Sequence, residues 1–199
     1  MEAFSDGVIA IAITLLTLDV HVPSHDVRDQ GLLAHELLQL WPHYLAFVTS
    51  FIVVGIIWIN HHAIFEHIGQ ADYYLVLINV FLLLGIALLP FTTALVAEYV
   101  NHDGKRTAMM VYTGWFFLVA IAFNLLWWYP RHFNLIKPDA DQAAVDRITQ
   151  RFRLGPPSYG LIFIVSIFSP IAALVGTGVL ALIYALPNQS KVRETAIRP

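Results

Sequence analysis

The residues best suited to metal chemistry lie in one short segment that contains three histidines and a glutamate. His62 and Glu66 are four positions apart, so on a helix their side chains share one face and could supply two ligands of a metal ion. A metal site needs more ligands than these, and most other histidines lie in loops or at the ends of apolar segments. Hydrogen bonding of His61 or His62 to another helix is therefore the better interpretation.

A second group of polar residues, Ser5 and Asp6, opens the first apolar segment of the chain. A carboxylate at this place either caps the free amides of a helix N-terminus or pairs with a polar group of another helix. We expect the second arrangement, because a buried polar group in lipid finds partners only within the protein. In this polar lock, His61 or His62 hydrogen-bonds to Ser5 and Asp6, and Asn79 lies nearby.

The composition places these polar residues in a membrane protein. Of the 199 residues, 58% are hydrophobic and 13% are charged, whereas soluble domains contain roughly 45–50% apolar and about 25% charged residues. A chain this apolar cannot cover its hydrophobic side chains in water, which excludes a soluble enzyme domain. The absence of cysteine excludes disulfides, and the net charge of −3 argues against a nucleic-acid partner. We predict an all-α integral membrane protein in a lipid bilayer.

The apolar segments predict six transmembrane spans, because a helix needs about 20 mostly apolar residues to cross the bilayer core. The last apolar tract is divided at Ser169-Pro170, since most basic residues then lie on the cytoplasmic side and both termini are cytoplasmic. Residues 1–190 form one six-span domain, and residues 191–199 form a cytoplasmic tail. The spans are predicted at about residues 4–22, 41–65, 72–98, 107–129, 157–169 and 170–187.

One polar loop separates the fourth span from the fifth. Pro138-Asp139 predicts a helix start and Gly155-Pro156 a helix end. A solvated connector is the simpler interpretation of this loop, and a short amphipathic helix on the membrane surface is the alternative. The chain has no internal repeat, so a pore around a symmetry axis would require several copies of it.

The first span has two different faces when it is drawn as a helix. Ser5 and Asp6 point to one side, and an apolar stripe with one hydroxyl lies on another. Such a stripe usually contacts lipid or a partner helix, and lining a pore is the alternative. The stripe consists of Phe4, Gly7, Ile11, Thr14, Leu15 and Leu18.

Three sequence motifs carry a resemblance to a known family. Phe4-Ser5-Asp6, followed by Gly-Val-Ile-Ala-Ile-Ala-Ile-Thr-Leu-Leu, resembles the first helix of the transmembrane protein 175 family of potassium channels. The resemblance continues in Trp-Ile-Asn-His-His at 58–62, and in Asn79 and Leu-Pro-Phe-Thr-Thr-Ala-Leu at 89–95. The length and the number of spans also match the bacterial members that have a single repeat.

This resemblance implies a homotetramer whose first helices line a central pore without a re-entrant selectivity filter. By its position in the motif, Ile11 resembles the hydrophobic constriction and Leu18 a second apolar ring, with Leu15 beside them. Thr14 resembles a polar layer that binds a potassium ion transiently. The implied function is a potassium-selective or potassium-preferring cation channel of the cell membrane. It would be no enzyme, would need no cofactor, and would have no small-molecule substrate other than the permeant cations.

Two other functions are open to a membrane protein of this composition. A histidine-ligated membrane oxidoreductase would use paired histidines in the membrane, but most of the histidines lie outside the spans. A proton-coupled transporter usually has carboxylates near the middle of the bilayer and helices broken in paired repeats. Asp6 is the only clearly embedded acid, and it lies near one edge, so the channel is favoured.

Overall fold

The computed structural model describes residues 1–19, 32–99 and 101–185. Its regular structure in these ranges is helical, apart from one isolated bridge between Ile68 and Ile136, so the all-α prediction is confirmed. The ends of the first and last predicted spans, the first half of the loop that follows the first span, and the tail 191–199 lie outside the described residues. The elements are α1 (Glu2–Leu15), a 3-10 turn (Leu16–Asp19), α2 (Leu32–Gln39), α3 (Trp41–His67), α4 (Tyr73–Ala87), α5 (Leu89–Tyr99), α6 (Lys105–His132), α7 (Gln142–Phe168) and α8 (Pro170–Ala185).

Three helical segments of the described chain are long and apolar enough to cross a membrane. They are α3, α4 together with α5, and α6. The shorter apolar segment Pro170–Tyr184 lies in α8, after a junction at Ser169 where the sequence predicts a turn. The amide of Ala172 donates to Ser169 Oγ across 3.4 Å, so Ser169 caps α8.

The core forms around α6, which packs against α4, α5, α7 and α8, while α1 packs against α3, α4 and α5. Large side chains such as Tyr112, Phe116 and Leu126 are fully buried along α6. Lipid tails are as apolar as leucine, so close packing and hydrogen bonds between helices, rather than exclusion from water, hold such a bundle together. This makes the buried hydrogen bonds of the chain decisive for its geometry.

The predicted span at 72–98 is interrupted at Leu88, between α4 and α5. Pro90 explains the break. Its ring clashes with the carbonyl of the residue four positions earlier, and it has no amide hydrogen to donate to that carbonyl. A carbonyl beside the break finds a partner on α6, where Trp115 Nε1 donates to the Gly85 oxygen across 2.7 Å. The interruption is therefore stabilised from outside the broken helix.

The predicted helix end at Gly155-Pro156 is wrong, because α7 runs without interruption from Gln142 to Phe168. Pro156 leaves the carbonyl of Phe152, four residues earlier, without its usual helical donor. Asn124 of α6 replaces that donor: its Nδ2 lies 2.8 Å from the Phe152 oxygen. The start also differs, since Asp141 is the N-cap and accepts from the amide of Ala143 at 2.9 Å. The polar loop and the fifth predicted span thus share one helix.

Candidate functional site

A chain of buried hydrogen bonds fastens α1 to α3 and α4. His61 Nε2 lies 2.9 Å from Asn79 Oδ1, and Asn79 Nδ2 donates to Ser5 Oγ across another 2.9 Å. The Ser5 hydroxyl then donates to the Met1 carbonyl at 3.3 Å. His61 and Ser5 are fully buried and Asn79 is 1% exposed. Three helices therefore meet at polar atoms that neither water nor lipid reaches.

The direction of these hydrogen bonds fixes the tautomer of the histidine. The amide oxygen of Asn79 can only accept, so Nε2 of His61 carries the proton. Its Nδ1 has no hydrogen-bond partner in the described parts of the chain. The imidazole also stacks on Phe65, with ring centroids 4.5 Å apart. His61 is thus a donor that holds Asn79 in the orientation that Ser5 requires.

Asp6 and His62, the other predicted members of the polar lock, lie outside this chain. Asp6 Oδ1 accepts a hydrogen bond from Trp58 Nε1 at 2.9 Å, and His62 Nδ1 lies 2.7 Å from Glu2 Oε1. The expected contact of a histidine with Ser5 or Asp6 is not what the structure has, because Asn79 lies between His61 and Ser5. Consecutive residues on a helix point about 100° apart, and Ser5 and Asp6 accordingly contact different partners.

Two contact residues, Glu2 and Trp58, are absent from the predicted polar lock, although the spacing of residues on each helix indicates them. Glu2 and Asp6 are four apart on α1, and Trp58 and His62 are four apart on α3. Each pair lies on one face of its helix. The two faces meet as Glu2 with His62 and Asp6 with Trp58, on the half-exposed side of α1.

The spacing of His62 and Glu66 does not produce a metal site in the described ranges. Glu66 Oε1 lies 3.8 Å from His62 Nε2, while the other ring nitrogen faces Glu2. The carboxylates approach opposite nitrogens of the ring, so these three side chains do not converge on one point. Across residues 1–19, 32–99 and 101–185, no three histidine or acidic side chains are grouped as metal ligands.

The face of α1 opposite Ser5 is a continuous exposed stripe that extends into the 3-10 turn. Ile11 is 61% exposed and Leu18 is 72% exposed, with Thr14 exposed between them. The same stripe includes Phe4, Gly7 and Leu15, all exposed. The buried side of this helix consists of Ser5, Ile9, Ala12 and Leu16.

Thr14 presents its hydroxyl oxygen as an acceptor on this stripe. Its Oγ1 donates to the Ile11 carbonyl across 2.8 Å, which uses the only hydroxyl proton. The lone pairs of Oγ1 remain, and these are the atoms that can bind a cation. Thr17, which the sequence analysis did not single out, donates in the same way to the Thr14 carbonyl at 2.7 Å.

Comparison with known proteins adds evidence that geometry alone does not supply. A family described as endosomal/lysosomal potassium channel TMEM175 matches residues 1–90. A potassium channel from Chamaesiphon minutus is 43% identical over 96% of this chain and 94% of its own length. A potassium channel from Streptomyces collinus is 42% identical, covering 98% and 96%.

A solved structure agrees with the architecture of the chain. It is the crystal structure of a lysosomal potassium-selective channel TMEM175 homologue from Chamaesiphon minutus, with 42% sequence identity and a TM-score of 0.84. The match covers 92% of this chain and 94% of that one. The likeness therefore extends through α7 and α8, beyond the residues that the family description matches.

Proposed function

Because this chain belongs to the TMEM175 family, we propose that it is a potassium-selective or potassium-preferring cation channel. The proposed assembly is a homotetramer in which the α1 helices of four subunits surround the conduction pathway, with no re-entrant filter. The relatives from Chamaesiphon minutus and Streptomyces collinus, which match nearly the whole chain, are named potassium channels. These names favour a channel over the oxidoreductase and transporter alternatives.

The main support for this proposal is that α1 has one face held by buried hydrogen bonds and an opposite face that is exposed. Ser5 fixes one face through buried hydrogen bonds, so the stripe with Ile11 and Thr14 is held in a constant direction. A stripe that mixes aliphatic side chains with hydroxyl acceptors suits a pathway that ions cross. Lipid would favour an unbroken apolar surface in its place.

The proposed constriction is a ring of four Ile11 side chains. Such an apolar ring is a barrier to a hydrated ion, because a narrow hydrophobic segment can lose its water. Leu18 would form a second ring, with Leu15 beside it. Between the rings, the acceptor oxygens of Thr14 would replace part of the hydration shell of a potassium ion that passes.

The proposed location is the cell membrane, with six spans and both termini in the cytoplasm. The three long apolar segments support a membrane-embedded chain. The remaining spans would be formed by α1 with the 3-10 turn after it, by the second half of α7, and by α8. The bilayer and the other three subunits are then the partners, and the permeant cations are the only ligands of the pathway.

Ion flux through purified protein in liposomes tests the function. We expect potassium-loaded vesicles that contain the protein to release potassium, and protein-free vesicles to retain it. Chemical cross-linking in the same vesicles should reach a limit at four subunits. Correctly folded protein that carries no cation current would overturn the channel, and a limit at another number would overturn the tetramer.

A further inference from the structure

A cavity between α3, α6, α7 and α8 lies apart from the exposed stripe of α1. Its volume is about 60 Å³, and it is partly open to the outside. Val53, Phe116, Val119 and Phe123 belong to its walls, which are mainly apolar. Tyr159 also lines the cavity and stacks on Phe116 with ring centroids 5.9 Å apart.

Polar atoms gather at the other end of this cavity, around Arg151. Arg151 donates a hydrogen bond to the Tyr184 carbonyl, and its guanidinium carbon lies 5.5 Å from the centre of that ring. A guanidinium has five N–H donors, so one carbonyl leaves most of them available. No carboxylate of the described residues lies within 4.0 Å of Arg151. Asn60 also lines the cavity. Its side-chain amide has no hydrogen-bond partner among the described residues.

One end of the cavity is polar and its walls are apolar, as a lipid has a polar head group and apolar acyl chains. Arg151 and Tyr159 are eight residues apart on one face of α7, a separation of about 12 Å along the helix. The free N–H donors of Arg151 at one end suit an anion with several acceptor oxygens. A guanidinium group can bind a phosphate through two parallel hydrogen bonds. The apolar walls suit a hydrocarbon chain. The volume has room for a short length of chain and not for a whole one.

The position of the polar end agrees with a lipid source for that anion. Asn124, which lines the cavity, is one helical turn before Trp127, Trp128 and Tyr129 on α6. Such aromatic clusters are typical of the membrane–water boundary, where lipid phosphates lie. Basic pockets between helices at this depth suit anionic head groups.

We propose that the cavity is a binding site for an anionic membrane phospholipid, with its phosphate on Arg151 and part of one acyl chain against Phe116 and Val53. The site is distinct from the α1 stripe, so it does not depend on whether the chain conducts ions. An occupied site would join α7 and α8 to α3 and α6 through one ligand.

Lipid binding to the full-length protein, purified in neutral detergent, tests this site. The probes are dioleoylphosphatidylglycerol, dioleoylphosphatidylcholine and inorganic phosphate, with bound lipid counted by native mass spectrometry. We expect the anionic lipid to bind about tenfold more tightly than the zwitterionic one, because the choline cation of the latter offsets the charge of the phosphate that Arg151 binds. Equal binding of the two lipids would overturn the proposal. Displacement of the lipid by millimolar phosphate would identify a free-phosphate site, which also overturns it.

Matched variants separate the site from general electrostatic attraction. Arg151→Gln should weaken binding of the anionic lipid about tenfold, while Arg153→Gln, on an exposed arginine of the same helix, should leave it unchanged. Equal losses in the two variants would contradict a specific site. Arg151→Lys keeps the charge and should retain part of the affinity.

A second pair of variants tests the cavity without changing Arg151. A Cβ at Gly155 would lie 3.8 Å from Asn124 Nδ2 and 3.9 Å from the Tyr184 hydroxyl, so Gly155→Leu can fill the cavity from its lining. Gly178→Leu is the control, because a Cβ there meets no atom within 4 Å. We expect Gly155→Leu to lower lipid binding several-fold and Gly178→Leu to leave it unchanged. Undiminished binding in correctly folded Gly155→Leu would overturn the proposed acyl-chain site.

Discussion

Asn79 Nδ2 donates to Ser5 Oγ across 2.9 Å, a contact that joins the first turns of α1 to the middle of α4. The same amide group accepts from His61 through its oxygen, so one side chain serves three helices. Any residue without both a donor and an acceptor at this position would leave a buried polar group unpaired. The orientation of α1 therefore depends on a residue that lies far from it in sequence.

Replacement of Asn79 by alanine should destabilise the protein. It removes one hydrogen bond from Ser5 and one from His61, and bonds of this kind between membrane helices contribute about 0.6–2 kcal/mol each. We expect a lower unfolding temperature in detergent for Asn79→Ala. Asn101→Ala, at an exposed asparagine, should unfold at the wild-type temperature. Equal stability of Asn79→Ala and the wild type would show that the chain of hydrogen bonds does not hold α1.

Replacement of Ile11 by asparagine should raise ion conductance. The polar side chain would keep water in the ring that Ile11 forms in the proposed tetramer, and a wetted constriction is a smaller barrier to an ion. Single-channel recording in planar bilayers measures the change. Ile11→Leu conserves volume and polarity, so its conductance should stay close to that of the wild type. An unchanged conductance in Ile11→Asn would move the constriction to another residue.

Replacement of Thr14 by valine should reduce the preference for potassium over sodium. Valine keeps the branched shape and removes the acceptor oxygen, which in the proposed pore would compensate for water that the ion loses. We expect the reversal potential under opposed potassium and sodium gradients to move toward zero while current persists. Thr17→Val removes the hydroxyl that lies further round the helix and should move the potential less. A larger shift in Thr17→Val would assign the polar layer to Thr17.

Acid should weaken the cap of α4 at Asp72. The Leu75 amide donates to Oδ1 at 2.8 Å and the Tyr129 hydroxyl donates to Oδ2 at 2.7 Å, and these bonds lower the pKa of the Asp72 carboxyl. The ionised form is thus favoured in the folded state. Its stabilising contribution is complete above the ordinary carboxyl pKa of about 3.9 and is lost as the pH falls through the lower folded value.

Asp72→Asn isolates this contribution from other acid effects. At pH 7 the variant should unfold at a lower temperature than the wild type, because the charged acceptor is missing. Below pH 4 the difference between their unfolding temperatures should shrink, since protonation removes the same charge from the wild type. A difference that stays constant from pH 7 to pH 3 would assign the effect to packing alone.

The faces of α1 could be read from the sequence because they depend on helical spacing within one segment. Ile11, Thr14 and Leu18 are exposed and Ser5 is buried, as the spacing of the motif indicates. The partner of Ser5 was harder to assign. The sequence predicts a histidine as that partner and places Asn79 only nearby, whereas the packing of α3 and α4 puts Asn79 between His61 and Ser5.

The prolines show what local sequence leaves open. Pro90 interrupts a helix and Pro156 does not, although each lies in an apolar segment. The difference depends on a donor from another helix: Asn124 supplies a hydrogen bond to the carbonyl that Pro156 frees. Asn124 is 28 residues away from Phe152, so no local rule connects them. Predicting that α7 continues would have required the packing of α6 against it.

The hydrogen bonds on the buried face of α1 limit how a pore lined by its exposed face could open. A rotation by one residue, about 100° around the helix axis, would separate Ser5 from Asn79 and carry Thr14 off the exposed stripe. In the proposed tetramer, both losses would occur in all four subunits. In the proposed tetramer, opening would therefore proceed by tilting or sliding of α1 as a rigid unit with α3 and α4, so that the pore would widen while each side chain keeps its direction.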